Sequence, residues 1–283
     1  MSAISVEEAR GILGNHDLLS VGVRADDERR RRHGTRTTFV RVLEIHVDAV
    51  PGELPTALSA GEIRLTGAPK SLEDAASAVT RAKVLATSIP LTAFSLADLS
   101  ALSGGAIEGL REVLAAVKTA GLQTIAEVPV DLLPDPAAIV KVAREAGLDV
   151  PRLTVHALTE ETRIETVERA RAIQAVVGGV KTFAPLPRHF VAAQPSTGYD
   201  DVRQVAMARL LLENIESIQV DWALYGPKLA QVALTMGADD VDGVSAFEGE
   251  LGRRRSPLEE IRGNIRAAGL DPAERDALFA ARS

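Results

Sequence analysis

Eight short β-branched runs alternate with longer amphipathic segments, and this alternation constrains the fold of the 283-residue chain more than any other feature. The runs lie near residues 37–47, 62–65, 88–93, 123–128, 152–155, 180–184, 217–222 and 240–243. Apolar residues at every third or fourth position predict helices near 71–85, 96–120, 135–146, 160–177, 200–213, 227–236 and 257–268. Strands that alternate with helices are parallel and joined by crossovers. The sequence therefore predicts an α/β protein with a (βα)8 TIM-type barrel.

Two parts of the chain depart from this repeat. Helical signals precede the first strand, so we expect an N-terminal helical extension over residues 1–36 and one barrel domain with C-terminal helices over residues 37–283. Residues 48–61 contain Pro51 and Pro55 and only a short apolar piece. A crossover helix hardly fits there, so the loop and helix after strand one are predicted to be eroded, which would leave the barrel gapped beside them.

Composition excludes several classes of function. The chain has no cysteine, and disulfides, zinc–thiolate sites and thiolate-ligated iron–sulfur clusters all require that sulfur. A net charge of -7 and an aromatic content of 3% argue against a nucleic-acid surface. The sequence shows no signal-peptide pattern and no uninterrupted apolar stretch of about 18 residues, so we expect no membrane association and a cytoplasmic location.

Polar residues at the ends of the predicted strands would meet at the working face of a barrel. Candidate catalytic residues are Glu127, Asp131 and His156, with Glu127 either a general base or the counterion of an arginine. Three histidines with nearby carboxylates would be potential metal ligands, His46, His156 and His189, but ordinary hydrogen-bonded histidines are the favoured interpretation. Arg188 would bind a carboxylate or a phosphate, or remain a surface charge. The candidate ligand-binding residues are His46, Asp48, Thr66, Gly67, Thr92, His156, Arg188, His189 and Asp221.

Residues 225–234, YGPKLAQVAL, followed by residues 237–243, GADDVDG, carry a family resemblance. They resemble the C-terminal signature of the radical S-adenosylmethionine (SAM) enzymes of the futalosine route to menaquinone, aminofutalosine synthase above all. Cyclic dehypoxanthinyl futalosine synthase and the deazaflavin FO synthases have similar stretches. Further segments agree in order, among them residues 62–67 and 197–201, so the resemblance covers nearly the whole chain. It implies a barrel of the radical SAM type.

The resemblance breaks after the first strand. Family members carry C-x-x-x-C-x-x-C there, and its thiolates hold a [4Fe–4S] cluster that binds SAM. Here the strand ends at His46, Val47 and Asp48. This departure implies a degenerate, cluster-free member, for which we expect no cofactor, no bound SAM and no radical activity. By position, Asp131 matches a glutamate of the family and His156 matches a family histidine.

Two classes of function follow from these observations. The first is a pseudoenzyme linked to menaquinone biosynthesis that binds a nucleoside-like ligand or pairs with an active homologue. Such a hetero- or homo-oligomer would form through an exposed flank near residues 50–60. The alternative is a repurposed non-radical barrel enzyme that acts on a small molecule, with or without a metal.

Overall fold

The computed structural model describes residues 4–189, 196–247 and 257–282. Eight parallel strands form the barrel: β1 (Arg36–His46), β2 (Glu62–Thr66), β3 (Leu91–Ser95), β4 (Thr124–Pro129), β5 (Arg152–Val155), β6 (Thr182–Pro187), β7 (Ser217–Asp221) and β8 (Asp240–Ser245). The helices outside are α3 (Leu72–Ala86), α4 (Leu96–Leu102), α5 (Ile107–Thr119), α6 (Pro136–Glu145), α7 (Arg163–Val177), α8 (Gly198–Leu211), α9 (Trp222–Thr235) and α10 (Pro257–Ala267).

The barrel is closed, which confirms the predicted (βα)8 fold. Each strand from β2 to β7 pairs with the next, and β1 pairs in parallel with both β2 and β8. The predicted gap beside β1 is wrong, because β1 and β2 pair from Val42 opposite Glu62 to His46 opposite Thr66. The ladder between neighbouring strands does not depend on a crossover helix, so losing that helix leaves the wall intact.

The predicted loss of the first crossover helix is confirmed. Only a single 3-10 turn, Val47–Ala49, follows β1 before β2 begins. Three apolar side chains of the connecting loop, Val50, Leu54 and Leu58, are half-buried and pack against the core. The loop therefore covers part of the wall that a helix would have covered. An oligomer formed through residues 50–60 stays a prediction.

Small residues bring the helices close to the barrel. On α3, the buried positions are Ala75, Ala78, Val79, Ala82 and Ala86, which recur at helical spacing and form one apolar face. All five residues of β3 are buried beneath this layer. The core outside the barrel is thus built from aliphatic side chains, as the low aromatic content requires.

Three elements differ from the sequence-based expectation. The helix predicted over residues 96–120 is two helices, α4 and α5, because Gly104 and Gly105 adopt φ values of 63° and 80° between them. Helix α9 begins at Trp222 and is kinked at Gly226, where φ is 72°. A short ninth strand, β9 (Asp271–Glu274), pairs in parallel with the start of β1, where only helices were predicted.

Two helices precede the barrel, α1 (Val6–Gly14) and α2 (Leu18–His33). They lie against the outside of the barrel near α8, where the Ile4 amide donates to the Leu210 carbonyl at 3.2 Å. Arg32 Nη1 donates to the Ile215 carbonyl at 3.0 Å and fixes the end of α2. The domain limits at residues 36 and 37 stay a prediction. Within the described ranges, no helix combines the length and the apolar character needed to cross a membrane.

Candidate functional site

A buried network of charges fills the barrel interior. Arg64 binds Glu62 of the same strand at 2.7 Å and Asp242 of β8 at 2.7 Å. Arg152 of β5 contacts the same two carboxylates, with 3.1 Å to Glu62 Oε1. The Thr92 hydroxyl donates to Glu62 Oε1 at 2.6 Å, so this predicted ligand-binding residue belongs to the network. Barrel interiors usually contain layers of branched apolar side chains, and here ion pairs replace them.

The arginines keep the buried carboxylates ionised. Burial raises the pKa of Glu62, but the charges of Arg64 and Arg152 outweigh burial and lower this pKa to about 2. Burial also raises the pKa of Asp242, and the same two arginines hold it well below its usual range. The network is therefore ionised throughout the physiological range of pH.

A second cluster lies above this network at the C-terminal ends of the strands. Arg188, which follows β6, places Nε 2.7 Å from Oε2 of Glu127 on β4 and Nη1 3.3 Å from Oδ2 of Asp221 on β7. The Nε–H of Arg188 is not directed at the carboxylate, so the first contact is an ion pair rather than a hydrogen bond. Nε2 of His156, which follows β5, lies 2.9 Å from Glu127 Oε1. Four predicted site residues thus meet at the barrel mouth, and we call Glu127, His156, Arg188 and Asp221 the mouth cluster.

The surroundings of the mouth cluster shift the pKa values of two of its carboxyl groups in opposite directions. Burial raises the pKa of Glu127, but Arg188 and the hydrogen bond with His156 overcome burial and lower this pKa to about 2. Glu127 is therefore a weak proton acceptor near neutral pH and serves as the counterion of Arg188. Burial and the neighbouring Asp242 raise the pKa of Asp221.

Two predicted site residues have positioning contacts. Asp131 accepts hydrogen bonds from the backbone amides of His156 at 2.9 Å and Ala157 at 2.8 Å, so it fixes the loop that carries His156. The exposed His189 donates its backbone N–H to the His156 carbonyl at 2.8 Å. Its ring packs edge-on against that of His156, with centroids 5.1 Å apart.

The remaining predicted residues lie where β1 and β2 end. Asp48 is exposed and pairs with Lys70 at 2.9 Å, while its backbone N–H donates to His46 Nδ1 at 3.3 Å. The His46 ring lies directly over Gly67. Across the described ranges, no group of three or more His, Asp or Glu side chains is arranged to hold a metal ion. The metal-dependent alternative therefore has no ligand set in the described part of the chain.

A small cavity of about 90 Å³ opens at the mouth. Its lining includes Thr66 and Gly67 of the predicted site, together with Glu44, Asp98, Glu127 and Arg188. Phe94, a buried lining residue at the end of β3, adopts φ of 60°, which is strained for a bulky side chain and is often found at functional sites. A larger cavity of about 650 Å³ lies between α1 and the first turns of α7 and α8, and no member of the mouth cluster lines it.

Sequence reasoning missed five charged residues of the barrel interior and its mouth, namely Glu44, Glu62, Arg64, Asp98 and Arg152. Glu62 and Arg64 occupy alternate positions of a strand whose residues are all buried except the last. Alternate residues of a barrel strand face the interior, so charges two apart in a β-branched run were the available signal.

The Gly67→Ala substitution is expected to lower the free energy of unfolding by about 1–2 kcal/mol, because φ at Gly67 is 87°. An added Cβ would also lie 2.4 Å from His46 Nε2 and force the exposed ring to turn away. Gly104→Ala is the matched control, since Gly104 has φ of 63° and no atom within 4 Å of the added carbon. Urea unfolding should show similar losses for both variants, and only Gly67→Ala should change the NMR signals of His46. An unchanged His46 signal would contradict the contact.

Known proteins resemble this chain in sequence. A family model described as the CofH/MqnC C-terminal region matches residues 186–283. Aminodeoxyfutalosine synthase of Thermus thermophilus is 33% identical over 224 residues, which are 68% of this chain and 60% of the relative. A 5-amino-6-(D-ribitylamino)uracil–L-tyrosine 4-hydroxyphenyl transferase of Methanosphaerula palustris is 32% identical over 58% of this chain and 50% of the relative. The chain thus spans about half to three fifths of the length of these relatives.

Solved structures share the fold at low identity. Methylornithine synthase superposes with a TM-score of 0.66 at 13% identity, covering 96% of this chain and 95% of that protein. The [FeFe]-hydrogenase maturase HydG of Carboxydothermus hydrogenoformans gives a TM-score of 0.66 at 14% identity, covering 98% of this chain and 78% of that protein. These likenesses concern the barrel alone.

The comparisons contradict the prediction of no cofactor, no [4Fe–4S] cluster and no SAM. The relatives and fold neighbours are radical SAM enzymes, which use such a cluster together with SAM. The cysteine count removes only the thiolates that this chain itself would supply, and it does not establish that the protein works without a cofactor. At the end of β1, the His46 ring accepts a hydrogen bond from the Asp48 amide, and the Asp48 side chain pairs with Lys70. These side chains supply no thiolate ligand.

Proposed function

We propose, on the premise that this chain belongs to the radical SAM family of futalosine-pathway enzymes, that it binds a nucleoside-like small molecule at the barrel mouth and acts in menaquinone biosynthesis. The observation that carries this proposal is the mouth cluster. Four polar side chains, each from a different strand end, meet beside a cavity whose lining includes a strained Phe94. Convergent polar groups beside a cavity at this end of a barrel are typical of small-molecule sites.

The local electrostatics support binding rather than a purely structural role. The interior network already satisfies the buried arginines Arg64 and Arg152. The mouth cluster adds a further layer that is partly open to solvent, with 18% of the Arg188 side chain and 16% of the His156 side chain exposed. Within the described residues, His156 Nδ1 has no hydrogen-bond partner, so one ring nitrogen remains available to a ligand.

Isothermal titration calorimetry with adenosine, inosine and SAM tests this proposal. We expect saturable binding of at least one nucleoside, together with a rise in melting temperature, since a ligand at 100 times its Kd stabilises the folded state by about 2.7 kcal/mol. Arg188→Lys keeps the charge but loses the planar fork that joins Glu127 to Asp221, so the mouth cluster should lose its arrangement and binding should weaken by roughly tenfold.

Arg111→Lys is the matched control, because Arg111 forms an exposed ion pair with Glu145 on the outer helices. It should bind like the unmodified protein. Absence of binding by all three nucleosides at millimolar concentration would overturn the proposed function, as would equal binding by the Arg188→Lys and Arg111→Lys variants.

A further inference from the structure

We infer that the mouth recognises its ligand through hydroxyl or ammonium donors and not through a phosphate or carboxylate, with Glu44 and Asp98 as the accepting groups. This inference rests on the proposed function and deepens it. It names the chemistry of the ligand and two residues that determine specificity, neither of which belongs to the mouth cluster.

The arginines that line the cavity are already paired with carboxylates of this chain. Arg64 and Arg152 share Glu62 and Asp242 in the interior network. Arg188 lies between Glu127 and Asp221, with Nη2 3.9 Å from Asp242 Oδ2. A ligand phosphate or carboxylate would have to displace one of these buried carboxylates and leave it without its cation, which is costly.

Two carboxyl groups of the same cavity form no hydrogen bond with a cation. Glu44, on β1, has its nearest cation, Arg64 Nη1, at 3.6 Å, beyond hydrogen-bond distance, and 58% of its side chain is exposed. Asp98, in the first turn of α4, forms no hydrogen bond or ion pair with any described residue. Burial raises the pKa of both side chains and outweighs the attraction of Arg64 for Glu44 and of His156 for Asp98. The acceptors left open in the cavity are therefore carboxylates.

The charge around the cavity favours the same kind of ligand. Carboxyl groups around the cavity outnumber guanidinium groups by six to three. The guanidinium groups belong to Arg64, Arg152 and Arg188, and the carboxyl groups to Glu44, Glu62, Asp98, Glu127, Asp221 and Asp242. The excess of negative charge attracts a cation or hydrogen-bond donors and repels a phosphate. Carboxylates also bind the hydroxyls of a nucleoside ribose in other α/β folds.

The size of the cavity limits how much of the ligand enters it. Its volume of about 90 Å³ lies well below the roughly 300 Å³ of the smallest usual ligand pockets. A sugar ring or an ammonium-bearing arm fits that space better than an entire nucleoside does. The base would then lie above the cavity, on the side of the mouth that is open to solvent.

Titration with three related probes tests the inference: adenosine, adenosine 5′-monophosphate and 5′-amino-5′-deoxyadenosine. We expect adenosine to bind, the monophosphate to bind on the order of tenfold more weakly, and the amino analogue to bind more tightly than adenosine. Glu44→Gln and Asp98→Asn should each weaken adenosine binding by about tenfold, because each replaces a charged acceptor with a neutral amide. Glu112→Gln, on the exposed face of α5, is the matched control and should change nothing.

The outcomes separate this inference from the proposal on which it rests. Adenosine binding that is unaffected in both Glu44→Gln and Asp98→Asn, or monophosphate binding as tight as that of adenosine, would overturn the inference and leave the proposed function standing. Absence of binding by all three probes would overturn the inference, and it would overturn the proposed function as well when inosine and SAM also fail to bind. Thermal melts check that each variant is folded. Substitution of these partly exposed carboxyl groups should not unfold the protein.

Discussion

Asp242→Ala is expected to lower the free energy of unfolding by about 3–5 kcal/mol, the range for breaking a buried ion pair from one side. Asp242 is fully buried on β8 and binds Arg64 of β2 and Arg152 of β5. Its removal leaves two buried guanidinium groups that share Glu62, with the exposed Glu44 at 3.6 Å from Arg64 as a weak additional contact. The loss should be large because the arginines remain charged and are each only 4% exposed.

Urea unfolding followed by circular dichroism measures this effect. Lys70→Ala is the control, because it breaks the exposed pair with Asp48 and should cost about 0–1 kcal/mol. If Asp242→Ala and Lys70→Ala lose similar amounts of stability, the interior charges do not hold the barrel together. An increase in exposed apolar surface for Asp242→Ala, seen as dye binding, would show that the interior has loosened.

The strands and the closed barrel could be predicted because their signal is local. Runs of β-branched residues alternate with amphipathic helices, and eight units in a row leave a barrel as the simplest closed arrangement. The observed strands β2 and β5 begin where the sequence placed them, at Glu62 and Arg152. The ninth strand was missed because Asp271–Glu274 is short, contains a proline and pairs only with the distant start of β1.

The interior network could not be predicted in the same way. Glu62 and Arg152 are 90 residues apart, and Arg64 and Asp242 are 178 apart. Their pairing depends on which alternate positions of two strands face inward at the same height, and this register is fixed only when the barrel closes. A single sequence shows the charges, but it does not show that each charge meets its partner.

Some of the residues predicted for the site lie close together because they directly end neighbouring strands. Glu127, His156, Arg188 and Asp221 were chosen for that reason, and the structure brings them together. His46 and Asp48 were chosen by the same rule, yet they interact with Gly67 and Lys70 outside the mouth cluster. The position of a residue along its strand therefore predicts its height in the barrel. Which side chain it contacts depends on the neighbouring strands.

Stability should fall steeply as the pH drops below about 5, and Glu127 should account for part of the loss. The pKa of Glu127 is lowered from 4.5 to about 2 in the folded protein. A carboxyl whose pKa is lowered on folding stabilises the folded state above its unfolded pKa, and this contribution disappears as the pH falls through the folded pKa. The difference corresponds to about 3 kcal/mol, present at pH 7 and lost between roughly pH 5 and pH 2.

Other carboxyl groups act in the opposite direction. Burial raises the pKa of Glu44, Asp98 and Asp221, so these groups bind protons more tightly in the folded state and oppose the acid-induced loss. Glu127→Gln isolates the contribution of Glu127 from this background, because the variant keeps the shape of the side chain without its proton equilibrium. Urea unfolding at pH 7, 5, 4 and 3 should show the unmodified protein losing its advantage over Glu127→Gln as the pH falls. A constant difference between the two proteins across this range would mean that Arg188 and His156 do not hold Glu127 ionised, and that the mouth cluster lacks the electrostatic coupling on which the proposed site depends.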